Sequence, residues 1–152
     1  MKTITQISAF GYEEITILGD LERCDMLINN VSDEKIVSTL NELRGKGRND
    51  YPVVPVWNSF LVMPLLECST IEQLRRELSR NRDLRKLCGF NDSDYYYGKC
   101  KLVPPAKAYT NMLKNLKAIE PMLKECFNEL REFMYSHLKF HSFHFVQGTH
   151  RN

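Results

Sequence analysis

The chain has no apolar run approaching the ~20 residues that a membrane-spanning helix needs, and no basic-then-apolar leader at its N-terminus. Both absences point to a cytoplasmic protein without a membrane partner. Its five cysteines, Cys24, Cys68, Cys88, Cys100 and Cys126, are odd in number and widely spaced, and no Cys-x-x-Cys pair occurs. That pattern fits reduced, mostly buried thiols rather than a disulfide framework or a zinc site. No stretch shows the β-branched alternation of a strand. Internal repeats and low-complexity segments are missing as well. Histidine is confined to positions 137, 141, 144 and 150, so no nucleophile–base pair is recognisable. Spacing puts two of His137, His141 and His144 on one helical face, but no carboxylate or cysteine stands beside them to complete a metal site. Carboxylates run out early: the last aspartate is Asp94 and the last glutamate is Glu132.

What is present is enough for one domain with a real core, since 43% of the 152 residues are hydrophobic. The formal net charge of +2 hides a division. Residues 1–43 hold three Lys/Arg against eight Asp/Glu, a local charge of −5. Residues 44–117 hold fourteen against seven, a local charge of +7, and the remainder carries four of each. The basic middle is therefore the part suited to a polyanion, whereas the acidic start would be repelled by one. Three regions are expected on this basis: an acidic helical subdomain over 1–50, a basic helical domain over 51–136, and an atypical tail over 137–152.

The periodicity predicts an all-α bundle of six to seven helices. Ile17, Leu21, Cys24 and Ile28 share one face of a helix near Glu13 to Asn29. Ser32 is positioned to cap a second helix with the stripe Ile36, Val37, Leu40 and Leu43, which Gly45, Gly47, Asn49 and Asp50 end. Pro52 and Pro55 imply an extended entry to a helix from about Pro55 to Glu67, with Trp57, Phe60, Leu61 and Leu65 in the core and Pro64 kinking or shortening it. Ser69 or Thr70 caps a helix to about Leu78, and Asn81 caps a short one that Gly89 ends. Asn91 to Lys101 reads as a loop. Pro104 and Pro105 suit the first turn of the next helix. A last long helix starts near Ile119 with the stripe Met122, Leu123, Cys126, Leu130, Phe133 and Met134.

The most informative block is STIEQLRRELSRNRDLRKLCGF, residues 69–90. It sets Arg75, Arg76, Arg80, Arg82, Arg85 and Lys86 against Glu72, Glu77 and Asp83. One apolar and one arginine-rich face let a helix pair sit on a core and still offer cations to nucleic acid. The bland alternative is a solvated face with local pairs such as Glu72–Arg76. The pair also has the lengths of a helix-turn-helix, in which the helix from Asn81 would enter the major groove with Arg82, Arg85 and Lys86 pointing outward. Arg44-Gly-Lys46-Gly-Arg48 lacks the Lys-Ser/Thr ending of a phosphate-binding loop and reads as a basic loop or plain linker. Tyr95, Tyr96 and Tyr97 beside Lys99 and Lys101 either stack on bases or cover a core edge.

The succession GYEEITILGDLER, ELRGKGRNDYPVVPVWNSF, STIEQLRRELSRNRDLRKLCGF and VPPAKAYTNMLKNL resembles the N-terminal region of bacterial insertion-sequence transposases of the DDE type. The likeness spans about Gly11 to Phe133 and rests on several blocks in one order. It implies duplex DNA, the transposon end, as partner. Arg75, Arg76, Arg80, Arg82, Arg85 and Lys86 would be the principal contacts, supported by Arg44, Lys46, Arg48, Lys107 and Lys114. In that family a following RNase H-like domain supplies three carboxylates that hold two Mg²⁺ ions. No carboxylate follows Glu132 in this chain, and about 20 residues cannot build such a sheet, so the expectation is binding without cleavage and without a cofactor. A second departure is Tyr109-Thr110-Asn111-Met112-Leu113, where many family members carry aromatic–Ser–Arg–aromatic–Leu; Asn111 stands in place of the arginine. Two other outcomes stay open: an interaction module that joins itself or intact transposase in mixed oligomers, or a decayed remnant without a selected role.

Overall fold

A computed structural model describes residues 21–46, 51–96 and 101–147, with the backbone alone described at 94, 95 and 137–147. These residues form an all-α bundle of eight helical segments: α1 (Glu22–Asn30), α2 (Glu34–Arg44), α3 (Val53–Val62), α4 (Ile71–Arg80), α5 (Arg82–Cys88), α6 (Asp92–Tyr96), α7 (Ala106–Ala118) and α8 (Glu120–Gln147). The segment over Glu13 to Asp20 expected to lead into α1 lies outside the described residues, as does the loop 47–50 with Arg48.

Helix α3 is the hub. It packs against α1, α2, α5 and α7. Its sequence explains this, because VVPVWNSFLV is apolar on nearly every side, and such a helix is stable only when surrounded. Val53, Pro55, Val56, Trp57, Asn58, Ser59, Leu61 and Val62 are all buried. Around it α2 lends Ile36 and Leu40, α4 lends Leu74 and Leu78, α5 lends Leu84 and Cys88, and α7 lends Tyr109, Met112 and Leu116. Helices from both sides of the 50/51 division expected from charge thus share one core.

The polar groups in this core are paired. Trp57 Nε1 donates to Asp33 Oδ2 at 2.5 Å, which ties α3 to the start of α2. Asn58 Nδ2 donates to the Cys88 carbonyl at 3.2 Å. Ser59 Oγ donates to the Val56 carbonyl at 2.8 Å and lies 2.9 Å from the Tyr109 hydroxyl. The serine has a single proton, so the tyrosine donates to it. Burial pushes the Tyr109 phenol up to about 12, so it stays a neutral donor. Ser59→Ala strands that donor, and thermal unfolding is expected to show a loss of about 2 kcal/mol; an unchanged midpoint would mean that the phenol finds another acceptor.

Several boundaries differ from expectation for local reasons. Asp33, not Ser32, occupies the N-cap of α2, and makes no capping bond because its carboxylate serves Trp57. Helix α3 stops at Val62, since Pro64 has no N–H to offer and disfavours helix in the residue before it. The turn that follows closes at Glu67, which adopts φ +56°. Pro104 and Pro105 precede α7, with Pro105 extended at its N-cap. The segment read as a loop after Asn91 contains α6, whose start is fixed when Asn91 Oδ1 accepts from the Ser93 backbone N–H at 3.1 Å. Helix α8 begins as expected, and Pro121 falls in its first turn. It buries Cys126 but leaves Phe127, Phe133, Met134 and Tyr135 exposed.

Candidate nucleic-acid interface

The basic helices are set by their caps. Thr70 and Gln73 form a capping box: Thr70 Oγ1 accepts from the Gln73 N–H at 3.2 Å and Gln73 Oε1 accepts from the Thr70 N–H at 3.2 Å. Asn81 alone joins α4 to α5, as C-cap of the first and N-cap of the second. Its Oδ1 accepts from the Leu84 N–H at 3.0 Å. Asn81→Ala should therefore cost about 1 kcal/mol of stability, read as a lower midpoint in urea; no change would deny the cap its role. A single-residue junction differs from the three- to four-residue turn of a helix-turn-helix, and α5 has only seven residues. At the far end of α5, Gly89 takes φ +95°, where its N–H reaches the Arg85 and Lys86 carbonyls.

This frame sorts the six cations of the block. Arg85, expected to point outward, is buried at 6% exposure. Its Nη1 donates to the Leu78 and Ser79 carbonyls at 2.7 and 3.0 Å, covering acceptors that the last turn of α4 leaves open. Its Nε and Nη2 grip both oxygens of Asp92 at 2.9 and 3.1 Å. Arg85 thus clamps α4, α5 and α6 together. The bonded guanidinium holds the Asp92 carboxyl below the usual carboxylate range, helped by the charges of Arg82 and Lys86.

Arg75 is half committed. Its Nε donates to the Pro104 carbonyl at 2.9 Å and its Nη1 to Glu72 at 2.8 and 2.9 Å. Glu72 therefore pairs with Arg75, not with Arg76 as the spacing suggested. Arg76 is exposed and makes no bond among the described residues. Arg80 pairs with Glu77 in an open setting, its side chain 71% exposed. Such a pair is worth little in water and yields readily to a phosphate. Arg82 is 69% exposed and only loosely held, 3.6 Å from Asp92. Lys86 is exposed, and no bond holds its ammonium among the described residues. Arg76 and Arg80 stand one turn apart on α4, and Arg82 and Lys86 one turn apart on α5, so two helices each present a pair of outward cations.

The supporting cations fall elsewhere. Lys46 and Lys114 are exposed. Arg44 and Lys107 both line an open cleft of about 520 Å³ between α2, α3 and α7, together with Leu40, Tyr51, Val53, Val56, Pro105, Ala108, Asn111, Met112 and Asn115. The carboxamides were not among the residues expected to matter, although the substitution at position 111 pointed there. Of the tyrosine cluster, Tyr96 is 78% exposed, while Tyr97 and Lys99 lie outside the described residues. Burial raises the thiols of Cys24, Cys68, Cys88 and Cys126, Cys88 to about 12, which suits inert packing residues. Among the described residues no three His, Cys, Asp or Glu side chains converge as metal ligands, and no helix is long and apolar enough to cross a membrane. The chain matches no family model, no curated protein and no solved structure.

Proposed function

We propose that the chain is a DNA-docking helical module, equivalent to the N-terminal part of a DDE-type transposase, and that it holds DNA without cutting it. The observation that carries this reading is the outward set Arg76, Arg80, Arg82 and Lys86, exposed cations of which Arg80 pairs at the surface with Glu77 and Arg82 loosely with Asp92. The four sequence blocks in transposase order, one of which carries these cations, support it as well. Docking is electrostatic: guanidinium and ammonium groups replace counterions along the phosphate backbone. Seven-residue α5, with Leu84, Arg85 and Cys88 turned into the core, offers too little outward surface for reading base edges alone. The mechanism is therefore backbone contact with modest sequence preference. In fluorescence anisotropy with labelled duplex DNA, binding should be evident near 50 mM salt and largely lost by 200 mM. Absence of binding at low salt removes the proposal.

A second reading rests on α8. Phe127, Phe133, Met134 and Tyr135 are 44–56% exposed on one helix, an apolar surface of the kind that joins proteins. On that reading the chain forms mixed oligomers with intact transposase. Light scattering separates the two, since a chain that stays monomeric and ignores intact transposase leaves the second without support.

A further inference from the structure

The cleft between α2, α3 and α7 has the chemistry of a nucleotide pocket. Lys107, Asn111 and Asn115 are spaced four apart on α7, so they form one ridge along its length, about 12 Å from first to last. None of the three side chains makes a hydrogen bond among the described residues. Arg44 of α2, Val56 of α3 and Met112 of α7 line the same cleft. Among the described residues no carboxylate lines the cleft. The Lys107 ammonium, the apolar side chains and the two carboxamides match the three parts of a nucleotide. The ammonium suits the phosphate, the apolar side chains suit the base face, and carboxamides pair with base edges, most readily adenine, by donating and accepting together.

We propose that this cleft takes one unpaired nucleotide of a DNA strand whose duplex part docks on α4 and α5. The inference rests on the DNA-docking reading and extends it, since it gives the chain a preference for DNA with an unpaired stretch over continuous duplex. A free mononucleotide carries the same chemistry, so the test separates the two sources.

Anisotropy titrations with the full chain would compare a blunt duplex, the same duplex with a short unpaired adenine extension, and, by competition, a deoxyadenosine monophosphate. The extension is expected to tighten binding about tenfold. Asn111→Leu, a neutral change at an exposed position, should abolish that gain and leave blunt-duplex affinity within twofold. Competition by the mononucleotide that Asn111→Leu removes, without any gain from the extension, would assign the cleft to free nucleotides and overturn its role on a strand. Equal binding of blunt and extended duplex, with no competition by the mononucleotide, overturns the cleft proposal and leaves DNA docking intact. Failure of the blunt duplex to bind at all, while the mononucleotide binds, overturns docking on α4 and α5 instead.

Discussion

Arg85→Ala is expected to destabilise the fold by about 3–5 kcal/mol, the cost of removing a buried guanidinium from a part-buried carboxylate and two helix-end carbonyls. At roughly 2–4 °C per kcal/mol for a domain of this size, the thermal midpoint should fall by about 6–20 °C. The reasoning is local. Arg85 is buried, and its guanidinium satisfies both oxygens of Asp92 and the Leu78 and Ser79 carbonyls. Truncation leaves a carboxylate with 13% side-chain exposure facing a void, and two helix-end carbonyls without donors. Arg85→Lys should recover only part of the loss, because an ammonium cannot span the fork. An Arg85/Asp92 double-mutant cycle should show coupling of about 1–3 kcal/mol. Acid should act on the same clamp. The Asp92 carboxyl is depressed in the fold, so its contribution is fully present above the unfolded value of about 3.9 and disappears only as pH falls through the lower folded value. Asp92→Asn should therefore flatten the acid limb of the stability profile. If Arg85→Ala instead left the midpoint unchanged and weakened DNA binding, Arg85 would be a ligand contact and the clamp account would be wrong.

The second large effect concerns the outward cations. Arg76→Glu, Arg82→Glu and Lys86→Glu together should weaken duplex binding by about 100- to 1000-fold at ~0.1 M salt, on the order of tenfold per lost phosphate contact. Stability should change little, because none of the three is buried, and among the described residues Arg82 alone has a partner, at 3.6 Å. Reversal of Lys46 and Lys114, exposed but apart from α4 and α5, should cost far less. A triple variant that binds as tightly as the parent moves the interface off these helices.

Much of the bundle was legible in the residues, and the failures have physical causes. Periodicity located α1, α2, α4, α5, α7 and α8 because each carries a stripe that must be buried, and α3 stood out as an apolar run between prolines. Caps at Thr70 and Asn81 were readable because their side chains bond backbone within three residues, and Gly89 because it adopts the left-handed backbone that ends a helix. The fate of Arg85 was not readable. At i+3 from Arg82 and i−1 from Lys86 it resembles them in every local respect. What separates it is Asp92, seven residues on, and the end of α4, which only tertiary packing brings beneath it. Helix α6 escaped for a related reason, since five residues are too few to show a period. The cleft was invisible because it is assembled from three helices, although Asn111 had already marked the position as unusual.

The most direct test of the account is the salt dependence of duplex binding, measured for the parent chain and for the Arg76/Arg82/Lys86→Glu variant. Four outward cations on phosphate should give the parent a slope near −4 in a plot of log affinity against log salt, and the variant should lose about three units of it. A parent affinity that ignores salt, or a slope that the triple variant leaves unchanged, would contradict electrostatic docking on α4 and α5.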